Sequence, residues 1–255
     1  MDRLQEIFLE TITPSKPKKS KAKPSFKPSA LGTPCLRKLF YSYNRVLADF
    51  PFPVKAKKTM LVGTAIHEAI SDIFRKSGTL IDYMLPNGKP RIDYFTKKPN
   101  YEFELVDEDI EVNKAYSDMI VEIDGEIWLV ELKSINKRGL EFVRNTRKPK
   151  PDHLLQAYIC FFIFNKMLKN GKFKHIKRLD KYKALTGLKV MYVERDSLED
   201  AVFSLPITGL QDLKPIVQKM AKIKSHTKAK TLPPKTDFFC STCEYRTKCK
   251  KDQIS

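Results

Sequence analysis

Residues 116–134 read YSDMIVEIDGEIWLVELKS, and this stretch decides the fold. Two runs rich in β-branched and aromatic residues flank Asp124-Gly125. An Asp-Gly pair between such runs signals a two-residue hairpin turn, because both central residues take positive φ. With that turn, Ile123 pairs with Glu126, Asp118 falls opposite Glu131, and Tyr116 falls opposite Lys133. Side chains alternate faces along a strand. Asp118, Glu131 and Lys133 therefore share one face with Ile120, Ile127 and Leu129. Met119, Val121, Trp128, Val130 and Leu132 share the other.

Directly opposite Cβ atoms sit about 4.5–5.5 Å apart. Two carboxylates that close repel unless positive charge lies between them. A hard divalent cation with oxygen ligands, Mg²⁺ or Mn²⁺, meets that need. Lys133, on the same face, is then placed to hold a nucleophilic water or a phosphate oxygen. A solvated strand face with ordinary charges accounts for the same residues. Ile120, Ile127 and Leu129 weigh against it, since charges on a half-buried face need partners.

An Asp followed across a hairpin by Glu-x-Lys resembles the core of the PD-(D/E)xK nucleases. Upstream, residues 57–76 (KKTMLVGTAIHEAISDIFRK) have the period of an amphipathic helix, with Leu61, Ala65, Ile66, Ala69, Ile70, Ile73 and Phe74 on its apolar side. Gly63-x-x-x-His67 on that helix resembles the GxxxH element of the RecB-like branch, in which the His binds metal. A small residue one turn before the His lets the helix approach the sheet. A lone His beside an apolar face is also an ordinary structural residue. Downstream, residues 152–170 (DHLLQAYICFFIFNKMLKN) read as a buried helix capped by Asp152, with Gln156 as its polar exception. The branch carries a QxxxY helix at this place. This chain departs from it, because Cys160 stands four residues after Gln156 and the nearby tyrosine is Tyr158.

The C-terminal residues 237–251 hold Cys240-x-x-Cys243 and Cys249. Three thiols so close in a reduced chain point to metal rather than disulfides. A four-coordinate site takes its fourth thiolate from Cys35 or Cys160, and Cys160 lies in an apolar helix and reads as core. Cys35 with the C-terminal trio resembles the iron–sulfur branch of the RecB-like nucleases, which includes CRISPR-associated adaptation exonucleases and AddB-type nuclease domains. That likeness implies a [4Fe–4S] cluster on Cys35, Cys240, Cys243 and Cys249. A Cys₄ zinc site is the structural alternative.

The chain has 255 residues and a net charge of +18, enough length for one domain with a proper core and enough charge to suggest a polyanionic partner. No apolar run reaches the ~18–20 residues of a membrane span, and the N-terminus lacks a signal pattern. The expected location is the cytoplasm, without a membrane association. Residues 1–28 begin with a short helix over 4–11 and continue as a flexible basic arm, too polar and proline-rich to pack. Residues 29–255 form the nuclease domain. Ser29 is a cap for a helical segment over 29–45. Short strands are expected near 101–105 and 110–112. Asp107, Glu108, Asp109 and Glu111 lack a Glu-x-Lys partner in register and read as solvated. Residues 135–151 read as a basic loop whose Lys137, Arg138, Arg144, Arg147 and Lys148 line the approach to the metal and contact DNA. Residues 172–183 read as irregular, 187–194 as a strand, 210–223 as a helix and the segment after it as a basic linker.

Together the motifs imply an α/β, restriction-endonuclease-like mixed sheet flanked by helices, with its termini joined by the cluster. The resemblance places Mg²⁺ or Mn²⁺ on His67, Asp118, Glu131 and the Leu132 carbonyl, with Lys133 and Gln156 as catalytic partners. It implies a DNA exonuclease acting on single strands or ends, in company with a recombination or annealing protein. A structure-directed endonuclease uses the same residues. A non-hydrolytic DNA-binding module is the reading from another class.

Overall fold

The computed structural model describes residues 3–4, 6–7, 22–49, 54–92, 97, 99–205, 213–236 and 240–252. Its centre is a four-stranded sheet in the order β5 (Met119–Ile123), β6 (Glu126–Ile135), β7 (Gly187–Glu194) and β8 (Asp200–Leu205). The Asp-Gly turn forms as the sequence predicts, with φ of 52° at Asp124 and 79° at Gly125. Its register runs from Ile123↔Glu126 to Met119↔Val130. β6 and β7 are parallel, from Trp128↔Gly187 to Ile135↔Glu194. Parallel neighbours require a crossover. Here it contains α4 (Lys137–Thr146), α5 (Pro151–Lys169) and the short α6 (Lys177–Asp180), the last within a segment expected to be irregular. β8 returns antiparallel to β7, and the sequence reading missed it.

β6 is buried on both faces. Ile127, Leu129 and Ile135 join the larger core with Phe103, Phe164 and Tyr192. Val130 and Leu132 join a smaller one with Ile66, Met119 and Val121. The two faces are those counted outward from the turn. Gly187 has a steric reason: a Cβ there would lie 2.2 Å from Trp128 Cζ3.

α3 (Val54–Lys76) covers the smaller core through Ile66, with Ile70 and Phe74 packed alongside. It starts three residues before the expected boundary. A Cβ on Gly63 would stand 3.0 Å from Ser134 Oγ, so a small residue does permit the close approach of helix and sheet. The predicted apolar side is only partly used, because Leu61 and Ile73 are 52% and 60% exposed. Residues 79–81 leave this helix and line the free edge of β5, with Ile81 N–H donating to Ile120 O and Glu122 N–H to Thr79 O, both at 2.8 Å. Covering an edge strand blocks unwanted pairing.

β1 (Arg91–Ile92) and β2 (Pro99–Asn100) form a small pair. β3 (Phe103–Asp107) and β4 (Val112–Ser117) form another, in which Tyr116 faces Glu104. Tyr116 is therefore not opposite Lys133; the chain bends at Asp118 between β4 and β5. Asp107 is not solvated either. It is buried and its Oδ1 lies 2.8 Å from Lys166 Nζ, a partner 59 residues away. Glu111 pairs with Lys224 at 2.7 Å and accepts from the Tyr43 hydroxyl.

Residues 3–4 and 6–7 are helical; residues 8–21, most of the expected basic arm, lie outside the described residues. The arm ends earlier than residue 28. Phe26 is fully buried and stacks on Tyr43 at 4.3 Å between centroids, and its N–H donates to Glu111 O at 2.9 Å. One aromatic in a Lys/Pro stretch suffices to anchor it. α1 (Pro28–Leu31) follows Lys27, not Ser29. α2 (Leu36–Tyr43) is capped by Cys35, whose sulfur accepts the Lys38 N–H at 3.5 Å. α7 (Lys214–Ala229) forms the expected helix and runs on to Ala229, into the stretch expected as linker, while residues 210–212 lie outside the described residues. α8 (Arg246–Lys251) closes the chain's described part. The whole is a mixed α/β arrangement with helices against a mixed sheet, as the pattern of elements implied. Among the described residues no helix is long and apolar enough to cross a membrane.

Candidate active site

The bend between β4 and β5 sets Asp118 beside β6. Its Oδ2 accepts the Leu132 N–H at 2.8 Å, which ties the carboxylate to the strand that carries Glu131 and Lys133. Beyond Val130, β6 pairs with β7 alone, and the Asp118 carboxylate takes up the Leu132 N–H on the other side.

Glu131 is fully buried. Lys133 Nζ stands 2.6 Å from Glu131 Oε1, an ion pair lacking the angles of a directed hydrogen bond. Glu131 Oε2 has no hydrogen-bond partner among the described residues. Burial, with the Asp118 charge added, pushes the Glu131 carboxyl up to about 8 against the opposing pull of Lys133. For Lys133, burial pulls downward, and the charges of Glu131 and Asp118 outweigh it and raise the ammonium. A buried carboxylate with one bare oxygen beside a second carboxylate is costly unless a cation joins them.

α5 supplies the next layer. Lys133 Nζ donates to Gln156 Oε1 at 3.2 Å, which joins the Gln read from the sequence to the Lys across 23 residues. Cys160, four residues on, is 1% exposed and belongs to the core, as read. α5 begins at Pro151, with Lys150 at the cap position, so Asp152 lies in its first turn rather than capping it. The sequence reading missed two residues here. His153 stands one helical turn before Gln156, and its Nδ1 is 3.1 Å from the Tyr192 hydroxyl. Tyr192 is paired with Lys133 across β6 and β7. The i, i+3 spacing of His153 and Gln156 was the available signal.

His67 comes to the margin of this group, with Nδ1 3.9 Å from Asp118 Oδ1. It and Asp118 open onto a cleft of about 500 Å³ that Thr64, Glu68 and Glu102 also line. Among the described residues, no three His, Cys, Asp or Glu side chains gather as a ready metal cage. Asp118, Glu131, Lys133 and Gln156 are brought together, and the donor chemistry and the bare Glu131 oxygen fit a hard cation. The Asp118 carboxylate is partly engaged by the Leu132 amide and Glu131 by Lys133, which keeps the donors from converging.

The basic segment after β6 is a helix, not a loop. Asn136 caps α4 by accepting the Gly139 N–H at 2.9 Å, Leu140 and Val143 are buried, and Arg147 ends it at φ 52°. Arg144 is engaged within the protein, 2.6 Å from Glu199 Oε2 and donating to Asp200 O at 2.9 Å. Lys137, Arg138, Arg147 and Lys148 are exposed.

The C-terminal cysteine segment docks on the Cys35 helix. Asp49 N–H donates to Glu244 O at 2.8 Å, Tyr41 OH to Asp252 at 2.8 Å, and Arg37 Nε to Pro233 O at 2.9 Å. The two ends of the chain do meet, as expected. Among the described residues the thiols do not form a group of three or more that could hold a metal: Cys35 caps α2, Cys240 donates to Thr236 O at 3.5 Å, and Cys249 accepts from Arg37 at 3.8 Å. Burial raises the Cys243 thiol.

No protein-family model matches the chain. None of the curated proteins matches it either. Crystal structures similar to it include SSO0001, with 13% identity, a TM-score of 0.47 and coverage of 96% of both chains; an alkaline exonuclease (LHK-Exo) from Laribacter hongkongensis, with 12% identity, a TM-score of 0.49 and coverage of 91% of this chain and 95% of that one; and LHK-Exo in complex with dAMP, with 14% identity, a TM-score of 0.46 and the same coverage.

Proposed function

We propose that the chain is a metal-dependent DNA nuclease of the PD-(D/E)xK type, acting on single strands or DNA ends. The observation that carries this reading is Glu131: fully buried, bare at one oxygen, paired with Lys133 and set beside Asp118. Asp107 and Glu194 are also buried with one bare oxygen, but each is hydrogen-bonded on the other oxygen. Among the described residues Glu131 has a directed hydrogen bond on neither, and a second carboxylate stands beside it. Asp118 and Glu131 would hold Mg²⁺ or Mn²⁺, with His67 and the Leu132 carbonyl completing the set. When bound, the ion supplies Lewis acidity to a phosphodiester and lowers the pKa of a water. Lys133, braced by Glu131 and Gln156, orients the attacking water and meets the charge that develops on the phosphoryl oxygens. The exposed Lys137, Arg138, Arg147 and Lys148 supply sequence-independent attraction for the DNA backbone.

The same reading assigns Cys35, Cys240, Cys243 and Cys249 to a [4Fe–4S] cluster, with a zinc Cys₄ site as the alternative. Its support is the motif and the docking of the C-terminal segment on α2. Anaerobically purified protein would be brown and bleach on Cys240→Ser; colourless protein with stoichiometric zinc would favour zinc.

The deciding experiment incubates purified protein and Mn²⁺ with end-labelled linear and with circular single-stranded DNA. Loss of the linear substrate alone supports an exonuclease. Cutting of circles supports the endonuclease reading. Binding without cutting sinks the enzyme reading.

A further inference from the structure

The nuclease reading uses Lys133 and Gln156 and leaves the adjoining side chains of β7 and α5 without a task. Tyr192 is fully buried beside Lys133, and its ring faces His153, 5.6 Å away between centroids. Its hydroxyl oxygen accepts the Lys150 N–H at 2.9 Å and lies 3.1 Å from His153 Nδ1. The backbone amide can only donate. Among the described residues the hydroxyl has no other acceptor for its proton, so pairing that buried proton assigns Nδ1 as the acceptor. That assignment makes the imidazole the Nε2–H tautomer.

Among the described residues Nε2–H has no hydrogen-bond partner. The nearest carboxylate oxygen, Asp152 Oδ2, is 3.8 Å away, beyond hydrogen-bond reach. The ring is neither sealed in the core nor free, with its side chain 21% exposed. Burial holds it down to about 4, against the upward pull of Asp152 and with help from Lys133 and Lys150, so it stays neutral near pH 7. His153 and Gln156 lie one turn apart on the same side of α5. A neutral N–H donor, a cation and an amide thus stand together on one side of the candidate centre.

We propose that His153 is a further residue of the active centre, whose Nε2–H, oriented by Tyr192, donates a hydrogen bond to a non-bridging oxygen of the phosphodiester engaged by Lys133. This rests on the nuclease reading. The alternative role is purely structural, with the bond from Tyr192 serving only to pin the start of α5 to β7.

Two substitutions separate these roles, because they keep different halves of the imidazole. His153→Gln places an amide donor near the Nε2 position. His153→Asn keeps an acceptor near the Nδ1 position, for Tyr192. The kinetics of Mn²⁺-dependent cleavage of end-labelled DNA are measured for wild type and both variants, with the melting temperature of each. If Nε2–H meets the phosphate, the Gln variant stays within a few-fold of wild type in kcat. The Asn variant falls about ten- to a hundredfold, the worth of one hydrogen bond to a charged oxygen, with its melting temperature held. An Asn variant as active as the Gln variant, or more so, overturns the proposal. Absence of cleavage by the wild type overturns the nuclease reading and this inference with it. A second measurement needs no variant: ¹⁵N spectra of histidine-labelled wild type must show His153 as the Nε2–H tautomer, with its Nε2 resonance moving on addition of a Ca²⁺-bound phosphorothioate oligonucleotide. An Nδ1–H tautomer, or an unmoved resonance with DNA bound, refutes it.

Discussion

The two ends of one hairpin treat a glutamate in opposite ways. Near the turn, Glu122 accepts from Arg178 at 2.9 Å, from Lys181 at 2.6 Å and from Tyr182 at 2.8 Å. Those hydrogen bonds, Lys181 first, outweigh burial and hold its carboxyl down to about 2. At the open end, Glu131 is more deeply buried and has one lysine and one bare oxygen, and it is pushed up to about 8. Both residues sit on the same two strands, so sheet formation alone does not explain the difference. The fold gathers partners around the carboxylate that holds the hairpin to residues 178–182, and leaves them off the carboxylate that we propose as a cation ligand. Asp107 stands between the two, with Lys166 and the Asp109 N–H on Oδ1 and a bare Oδ2.

The sharpest break of this comparison is removal of each glutamate. Glu131→Gln should abolish Mn²⁺-dependent cleavage, by about a thousandfold or more if it holds the metal. The metal-free variant should melt below the wild type, since the largely buried Lys133 loses its ion-pair partner. Asp118→Asn should match it in activity. Cleavage by either variant near the wild-type rate would remove the site from this part of the molecule.

Glu122→Gln should do the reverse. Cleavage by the folded variant should persist, while stability falls by about 1 kcal/mol after allowance for solvent screening of the partly exposed Arg178 and Lys181. The sign follows from its depressed pKa. Glu122 contributes stability above about pH 4.5, the ordinary glutamate range, and loses it as pH falls through about 2. Urea midpoints of wild type and variant should therefore differ at pH 6 and converge toward pH 2. A constant gap across that range would mean that the ion pairs are not the source.

The smallest effect concerns the basic helix. Neutralising Arg147 and Lys148 together should lower the log–log salt slope of single-stranded DNA binding by about 0.7 for each phosphate the protein no longer neutralises. Arg144→Gln should change the slope less than either, because Arg144 is already spent on Glu199. A larger effect from Arg144 would place DNA on the β7–β8 side of the helix.

The hairpin and its two faces were legible because local chemistry dictates them: Asp124-Gly125 fixes the register, and alternation follows from it. Gln156 beside Lys133 was legible only through the family resemblance. What escaped was set by partners far along the chain. Asp107 looks solvated until Lys166 folds onto it, and Arg144 looks free until Glu199 arrives. Tyr192 reaches His153 only because β7 lies parallel to β6 after a crossover, a neighbour relation that no short stretch encodes. α4 was obscured by its charges, though Leu140 and Val143 carry the helical spacing. Phe26 was hidden by the lysines and prolines around it.

The central claim is that Glu131 Oε2 is bare because a divalent cation is its partner. Thermal melting of wild type and Glu131→Gln across a Mn²⁺ titration tests it directly, since a ligand that binds only the folded state raises its stability. The account predicts a saturable rise in melting temperature for the wild type and none for the variant. Equal rises in both proteins, or no rise in the wild type at saturating Mn²⁺, would contradict it.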